Sequence, residues 1–394
     1  MSKIVFFCIP AHGHTNPTIG VVKELVKRGH DVYYYSFDEF KEKLEVVGAN
    51  YISCDGYELD IEQSADKSAD KVGKDMVFST KLIVKAVLAM DEPVTKQISE
   101  MKPDVIVGDS VAYWGKLIAM KLGIPFVSST TTFAFNRYSS SIMKTSFFDT
   151  IKMIAAIPKT KKLLEPLRKK GYPAETILDI VQNDNDTTTV VYTSKEFQPF
   201  ADTFSDKYHF IGPSIREAYG EFEKTADKLV YISLGTVNNL KADFFTSCIK
   251  AFKGSDYQIV ISAGKSFDIA SLGVLPENIA VYSYIDQMAV LKKADVFISH
   301  CGMNSANESL YFGVPLVTYP QTPEQGGVAR QLETMGAGLP LKKNNPSQIK
   351  KAVENVLDDS SFKTNAKKIS DSFKKCGGVS EAADTILSMA GKKQ

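Results

Sequence analysis

Five histidines occur in the chain, and His12 and His14 lie together in Pro-Ala-His-Gly-His, directly after the apolar run Ile4 to Ile9. A histidine that follows the first strand of a parallel sheet stands at the sheet's carboxyl edge, where such sheets hold ligands. Asp109 ends a later apolar run, DVIVG, and so reaches the same kind of edge. A carboxylate on one imidazole nitrogen fixes the tautomer and makes the other nitrogen the better base. The ordinary structural role for Asp109 is a cap on the helix expected from Val111. The two roles are compatible.

A second constellation runs from Tyr284 to Gln325. Within it ADVFIS is a strand-type run, HCG a tight turn, MNSANESLYFG a helix, VPLVTYP another strand, and PEQ opens a further helix. His300, Asn304 and Ser305 carry donors suited to phosphate oxygens, and the two last fall in the first turn of a helix, where unpaired N–H groups favour an anion. Gly302 lets a ligand approach the backbone. Glu308 lies one turn further on; a carboxylate repels phosphate, so it suits a hydroxyl such as a ribose. Glu324 and Gln325 offer groups suited to sugar hydroxyls. Each has an ordinary alternative: Asn304 an N-cap, Glu308 a solvated helix charge, Pro323-Glu324 a normal helix start.

The elements that must position these residues alternate in βα order. Ile4–Ile9, Asp31–Phe37 and Asn50–Cys54 read as strands, Pro10–His14 as a loop, and Thr15–Gly29 as a helix. Phe78–Met101 is helical, Asp104–Gly108 a strand, and 137–182 a Lys-rich helical stretch without strands. The pattern restarts with strands at Leu229–Leu234, Tyr257–Ser262, Ile279–Tyr282, Val296–Ser299 and Leu316–Tyr319. This predicts α/β architecture: a domain over 1–214, a polar linker over 215–227, a second domain over 228–375, and a helix over 376–394 packing back on the first. A ligand is expected in a cleft between the domains.

Composition narrows the function classes. The chain has 394 residues, 44% apolar and 24% charged, with net charge +1, so no basic field attracts nucleic acid. The cysteines (Cys8, Cys54, Cys248, Cys301, Cys376) are five and scattered, which predicts neither disulfides nor a zinc site. No apolar run reaches membrane-spanning length and no signal peptide is evident, so a cytoplasmic location is expected. Neither G-x-G-x-x-G nor a P-loop occurs, and Asp184-Asn-Asp186 reads as a turn rather than a metal site.

HCGMNSANES…GVPLVTYPQTPEQ resembles the donor-binding signature of the family-1 glycosyltransferases, the UDP-glycosyltransferases of the GT-B fold. IPAHGHTNPTIGVVKELVKRGHDV is similar to the start of their bacterial, macrolide-glycosyltransferase-like branch, and VGDSVAYWG and VYISLGT extend the likeness. The resemblance implies two Rossmann-like domains with parallel sheets facing across a cleft. It implies His14 as the base, with His12 the fallback, and Asp109 as its orienting partner. His300, Asn304 and Ser305 would meet the donor diphosphate and Glu308 the ribose. Glu324 and Gln325 would hold the sugar. Tyr284 and Gln287 would hold uracil and ribose, and Thr236 would approach the diphosphate or sugar. Tyr284 stands where the plant signature has tryptophan, Met303 likewise, and Glu324 replaces an aspartate, which weakens any inference about the sugar.

The implied activity is inverting, metal-independent transfer of a hexose, with glucose expected, from a UDP-sugar to a hydroxyl of a small lipophilic acceptor such as a macrolide or a flavonoid or other phenol. No cofactor is implied; UDP-sugar is a cosubstrate. No nucleic-acid partner and no stable membrane association are expected, and the protein is expected to be a monomer or weak dimer. Phe78, Phe133, Phe135 and Tyr138 are candidate acceptor-pocket walls that suit the core equally well. A lipid-directed transferase using the basic segment at 159–170, or a sugar-nucleotide sensor without turnover, are the alternatives. A sensor has no use for a His14–Asp109 pair.

Overall fold

The computed structural model describes residues 1–57, 75–136, 138, 147–181, 183, 185–235 and 241–391; of 147–154 it describes the backbone. Thr236 and Asp184 lie outside the described residues. The chain divides into two compact units, one of residues 1–192, 200–214 and 377–394, the other of 193–199 and 215–376.

The first unit is built on a seven-stranded parallel sheet of order β3-β2-β1-β4-β5-β6-β7. Its strands are β1 (Lys3–Phe7), β2 (Asp31–Ser36), β3 (Asn50–Ser53), β4 (Val105–Asp109), β5 (Phe126–Thr130), β6 (Thr189–Val191) and β7 (Tyr208–Phe210). In β1 and β4 nearly every residue is buried, because helices cover both faces of a parallel sheet. Aromatic pairs tie neighbouring strands: Phe6 stacks on Tyr34 at 5.4 Å between ring centroids, and Phe7 on Tyr35 at 4.7 Å. The helix Met76–Met101 buries Val87, Met90 and Val94. Helices at Phe147–Leu163 and Glu165–Lys169 occupy the Lys-rich stretch.

The structure starts the first helix earlier than the pattern predicts. It runs from His12 to Lys27, with Ala11 extended at the N-cap. The pattern predicts a loop over Pro10–His14, but the N–H groups of His14 and Thr15 both donate to the Ala11 carbonyl, at 3.0 and 2.9 Å. His12 and His14 therefore ride on the first turn of a helix and not on a loop.

The last helix, Gly378–Ala390, belongs to this unit and packs on the helix His12–Lys27. Ala382, Ala383 and Ile386 are buried there. Arg28 donates to Asp384 and to Ser380 Oγ, the latter at 2.8 Å. Asp384 is largely exposed, and an exposed ion pair contributes at most about 1 kcal/mol, so apolar burial does more than the ion pair to hold this helix.

The second unit holds a six-stranded parallel sheet of order β10-β9-β8-β11-β12-β13. The strands are β8 (Lys228–Ser233), β9 (Tyr257–Ser262), β10 (Ile279–Tyr282), β11 (Val296–Ser299), β12 (Leu316–Thr318) and β13 (Gly338–Pro340). The stretch Ile215 to Asp227 has neither helix nor strand and is tied to this unit: Lys224 pairs with Asp295 at 2.7 Å, and Thr225 N–H donates to Gln258 Oε1 at 2.8 Å. Thr193–Pro199 also belongs here, through Ser194 Oγ to Ser372 Oγ at 2.8 Å and Phe197 edge-on to Phe373.

In each sheet the strand order reverses between its first strand and its fourth, β1 with β4 and β8 with β11. In doubly wound sheets that reversal point opens a crevice at the carboxyl ends of the strands. His14 and Asp109 follow or end β1 and β4; Gly235 and His300 follow β8 and β11.

Candidate functional site

In the first unit the pairing of β1 with β4 brings together residues far apart in sequence. His14 Nδ1 lies 2.8 Å from Asp109 Oδ2, across 95 positions. Asp109 is almost wholly buried, and its other oxygen, Oδ1, accepts the Val111 N–H at 3.0 Å. The helix expected from Val111 instead begins at Tyr113, with Ala112 at its N-cap and no capping side chain, so Asp109 Oδ1 holds the turn that precedes the helix and Oδ2 meets the imidazole. An ionised carboxylate only accepts, so chemistry assigns the proton to Nδ1 and leaves Nε2 as the basic nitrogen. Thr131 Oγ1 lies 3.1 Å from the same Nδ1. The imidazole keeps 17% of its side-chain surface exposed, enough for a substrate to reach it. Around it, burial and then the Asp109 charge push the Tyr113 hydroxyl up to about 12 and raise the Cys8 thiol further. Both stay neutral near pH 7.

His12 is engaged elsewhere. Its Nε2 meets Glu39 Oε1 at 2.7 Å and its ring stands edge-on to Phe40. Of the candidate acceptor walls, Phe133 is buried at 3% exposure and Phe78 half-buried. Phe135 and Tyr138 are exposed.

In the second unit His300 is wedged between two glycines. A Cβ on Gly302 would stand 2.5 Å from His300 Nε2, and one on Gly235 would stand 2.7 Å from it. Positions 235 and 302 therefore need glycine to make room for this ring. Cys301, between His300 and Gly302 in sequence, adopts a left-handed φ of 63°, unusual for a side-chain-bearing residue and held by a Cys301 N–H bond to Ser299 Oγ at 3.1 Å. Burial pulls the His300 imidazole down to about 4, with the Ser233 backbone opposing, so the ring is neutral near pH 7. Its Nδ1 is buried without a hydrogen-bond partner among the described residues. The next helix, Met303–Tyr311, has Gly302 at its N-cap and no capping side chain, and Asn304 and Ser305 lie in its first turn. Such an end favours an anion.

Glu308 sits one turn later and is half-buried. Burial pushes its carboxyl up to about 7, against the opposing pull of a hydrogen bond from Gln287 and the charge of Arg216. Gln287 Nε2 donates to Glu308 Oε2, while Gln287 Oε1 accepts from the Tyr231 hydroxyl at 3.0 Å. Tyr284 is 59% exposed, as a stacking platform requires. At the helix Pro323–Thr334, Thr322 caps and Gln325 closes a capping box. Gln325 Oε1 accepts from Gln321 N–H at 2.7 Å and Thr322 N–H at 3.2 Å, which leaves its NH2 as the group able to meet a sugar hydroxyl. Glu324 is exposed in the same turn.

Comparison with known proteins decides what this arrangement belongs to. Residues 248–386 match the model of the erythromycin biosynthesis protein CIII-like C-terminal domain. A Bacillus subtilis protein named as an uncharacterized UDP-glucosyltransferase, YojK, is 33% identical over 100% of this chain and 98% of its own length. The demethyllactenocin mycarosyltransferase of Streptomyces fradiae is 28% identical, over 98% of this chain and 86% of its own. The chain belongs to the macrolide-type branch of the family-1 glycosyltransferases. The crystal structure of the calicheamicin glycosyltransferase CalG4 superposes with a TM-score of 0.85 at 26% identity, covering 100% of this chain and 99% of that one. The fold is GT-B.

This glycosyltransferase also contains site-adjacent residues that its sequence motifs do not single out. Asp286 caps the short helix Gln287–Leu291, its Oδ1 accepting the Met288 N–H at 3.2 Å. Arg216 Nη2 donates to Asp286 Oδ1 at 2.6 Å, and Tyr219 N–H donates to Asp286 Oδ2 at 2.6 Å. An Asp directly before an apolar helical run is an N-cap signal, and it stands in Tyr284-Ile-Asp286-Gln287. Arg216 carries no such signal, because it falls in a polar stretch that reads as a linker. Among the described residues no three His, Cys, Asp or Glu side chains gather as a metal site would require. No described helix is long and apolar enough to cross a membrane.

Proposed function

We propose that the enzyme moves a hexose, glucose in the first instance, from a UDP-sugar to a hydroxyl of a small lipophilic acceptor such as a macrolide, flavonoid or other phenol, with inversion and without a metal. The observation that carries this reading is the 2.8 Å contact between His14 Nδ1 and Asp109 Oδ2. It leaves Nε2 to take the acceptor proton as the oxygen attacks the anomeric carbon. A base that takes the acceptor proton suits a single displacement, which turns an α-linked donor into a β-glycoside. A phenol, with pKa about 10, needs less help from the base than an alkyl alcohol does.

On the donor, Tyr284 stacks on the uracil, and Gln287 and Glu308 take the ribose hydroxyls. Thr236 is assigned to the diphosphate or sugar by resemblance alone. His300, Asn304 and Ser305 meet the diphosphate, and Glu324 and the Gln325 amide meet the sugar. The leaving diphosphate gains charge as the bond breaks. With His300 neutral, its stabilisation rests on hydrogen-bond donation and the helix N-terminus rather than on a side-chain cation. The UDP-glucosyltransferase name of the Bacillus subtilis relative supports the choice of donor.

The test is an acceptor panel with UDP-glucose and proton NMR of the anomeric signal, with and without EDTA. A β-glycoside formed at the same rate in EDTA is the expected result. An α-product, or activity lost to EDTA and restored by a divalent cation, would overturn the mechanism.

A further inference from the structure

We propose that Arg216, acting through Asp286, is the positioning residue of the donor-ribose site. The inference rests on the reading of Glu308 as the ribose ligand and adds what holds that ligand in place. Arg216 stands in the stretch before β8, outside the donor signature, yet it belongs to the same compact unit. Its guanidinium makes three defined contacts. Nη2 donates to Asp286 Oδ1 at 2.6 Å, Nη1 donates to the Glu217 carbonyl at 2.9 Å, and its face lies 4.3 Å from the centroid of the Tyr219 ring. Tyr219 N–H closes the motif on the other Asp286 oxygen. Asp286 in turn caps the helix whose first residue is Gln287.

The helix Gln287–Leu291 has five residues, too few to hold its own direction. Its N-terminus is therefore set by the cap, and the cap is set by Arg216. Gln287 passes that position on by bridging the Tyr231 hydroxyl and the Glu308 carboxylate. The charged and titratable groups that act on Glu308 are Arg216, which favours the ionised form, and Asp286, which opposes it; Tyr231 lies within the same network. Removing Arg216 therefore does two things at once. It loosens the amide that aims Glu308, and it leaves Asp286 as an unbalanced negative charge beside it. Both weaken the carboxylate as acceptor for a vicinal diol.

The experiment measures UDP-glucose affinity and initial rates for the full-length enzyme and its Arg216→Ala, Arg216→Lys and Glu308→Gln variants, across pH 6 to 9. Circular dichroism reports whether each variant is folded. Arg216→Ala should weaken donor affinity roughly tenfold, the equivalent of about one charge-assisted hydrogen bond, with KM rising more than kcat falls. The pH through which affinity rises should move upward, and Arg216→Lys should recover part of both. If Arg216→Ala and Arg216→Lys bind UDP-glucose within twofold of the parent at every pH while Glu308→Gln binds weakly, the positioning role is wrong and the ribose role stands. If Glu308→Gln itself binds like the parent, the ribose reading fails and this proposal falls with it. A variant of Arg216 that unfolds while Arg216→Lys matches the parent would also overturn it.

Discussion

The His300 ring is a case where two residues without side chains determine what a third can do. Gly235 has φ +80°, so substitution there strains the backbone as well as meeting the ring. Gly302 has φ −58°, which any residue adopts, so Gly302→Ala isolates the steric effect of one methyl on the imidazole. That variant should cost about 1–2 kcal/mol in stability and weaken UDP binding measurably in a calorimeter. Unchanged affinity would show that His300 does not meet the donor. Glu308 makes a second residue-scale expectation, with opposite signs for stability and for binding. Its carboxyl is raised to about 7 by burial, above the ~4.3 of a free glutamate. The folded protein therefore holds this proton better than the unfolded chain does. The group's contribution to stability is present at low pH and lost as pH rises through about 7. The proposed ribose role uses the ionised form as acceptor, so affinity for UDP-glucose, which does not titrate in this range, should rise through the same window. Glu308→Gln should flatten that rise, and a flat profile in the parent would contradict the assignment.

Among the elements, the last helix shows which forces hold a returning segment. Gly378–Ala390 offers an ion pair, Arg28 with Asp384, and an apolar face of Ala382, Ala383 and Ile386. Ile386 is 1% exposed and Asp384 is largely open to water. Ile386→Ala should therefore cost about 2–4 kcal/mol, and Asp384→Ala less than about 1 kcal/mol. Urea unfolding of the two variants measures the difference; equal midpoints would mean that the ion pair carries the docking. The helix Pro323–Thr334 teaches a related point. Its Gln325 oxygen closes a capping box, so part of a residue assigned to ligand binding already serves the fold.

Across the whole molecule, the sheets were legible because buried parallel strands are unbroken apolar runs, as in IVFFCI, DVIVG and ADVFIS. The pattern places His14 after one strand and Asp109 at the end of another in the same sheet; the strand order, which pairs β1 with β4, brings them together. What could not be read was set by tertiary partners. His12 resembles His14 in sequence, yet it faces Glu39. The protonation of Glu308 depends on burial and on Arg216, 92 positions away by residue number (308 − 216). The start of the first helix turned on two hydrogen bonds to the Ala11 carbonyl, which a Pro-Gly-containing stretch does not advertise. The proposed function divides the chemistry accordingly: it assigns proton transfer to the first unit and donor binding to the second. The most direct test of that division is His14→Ala, with UDP affinity measured by calorimetry and transfer measured by product formation. Affinity should stay at the parent value while transfer falls by about 10²–10⁴-fold; transfer at the parent rate would contradict the account.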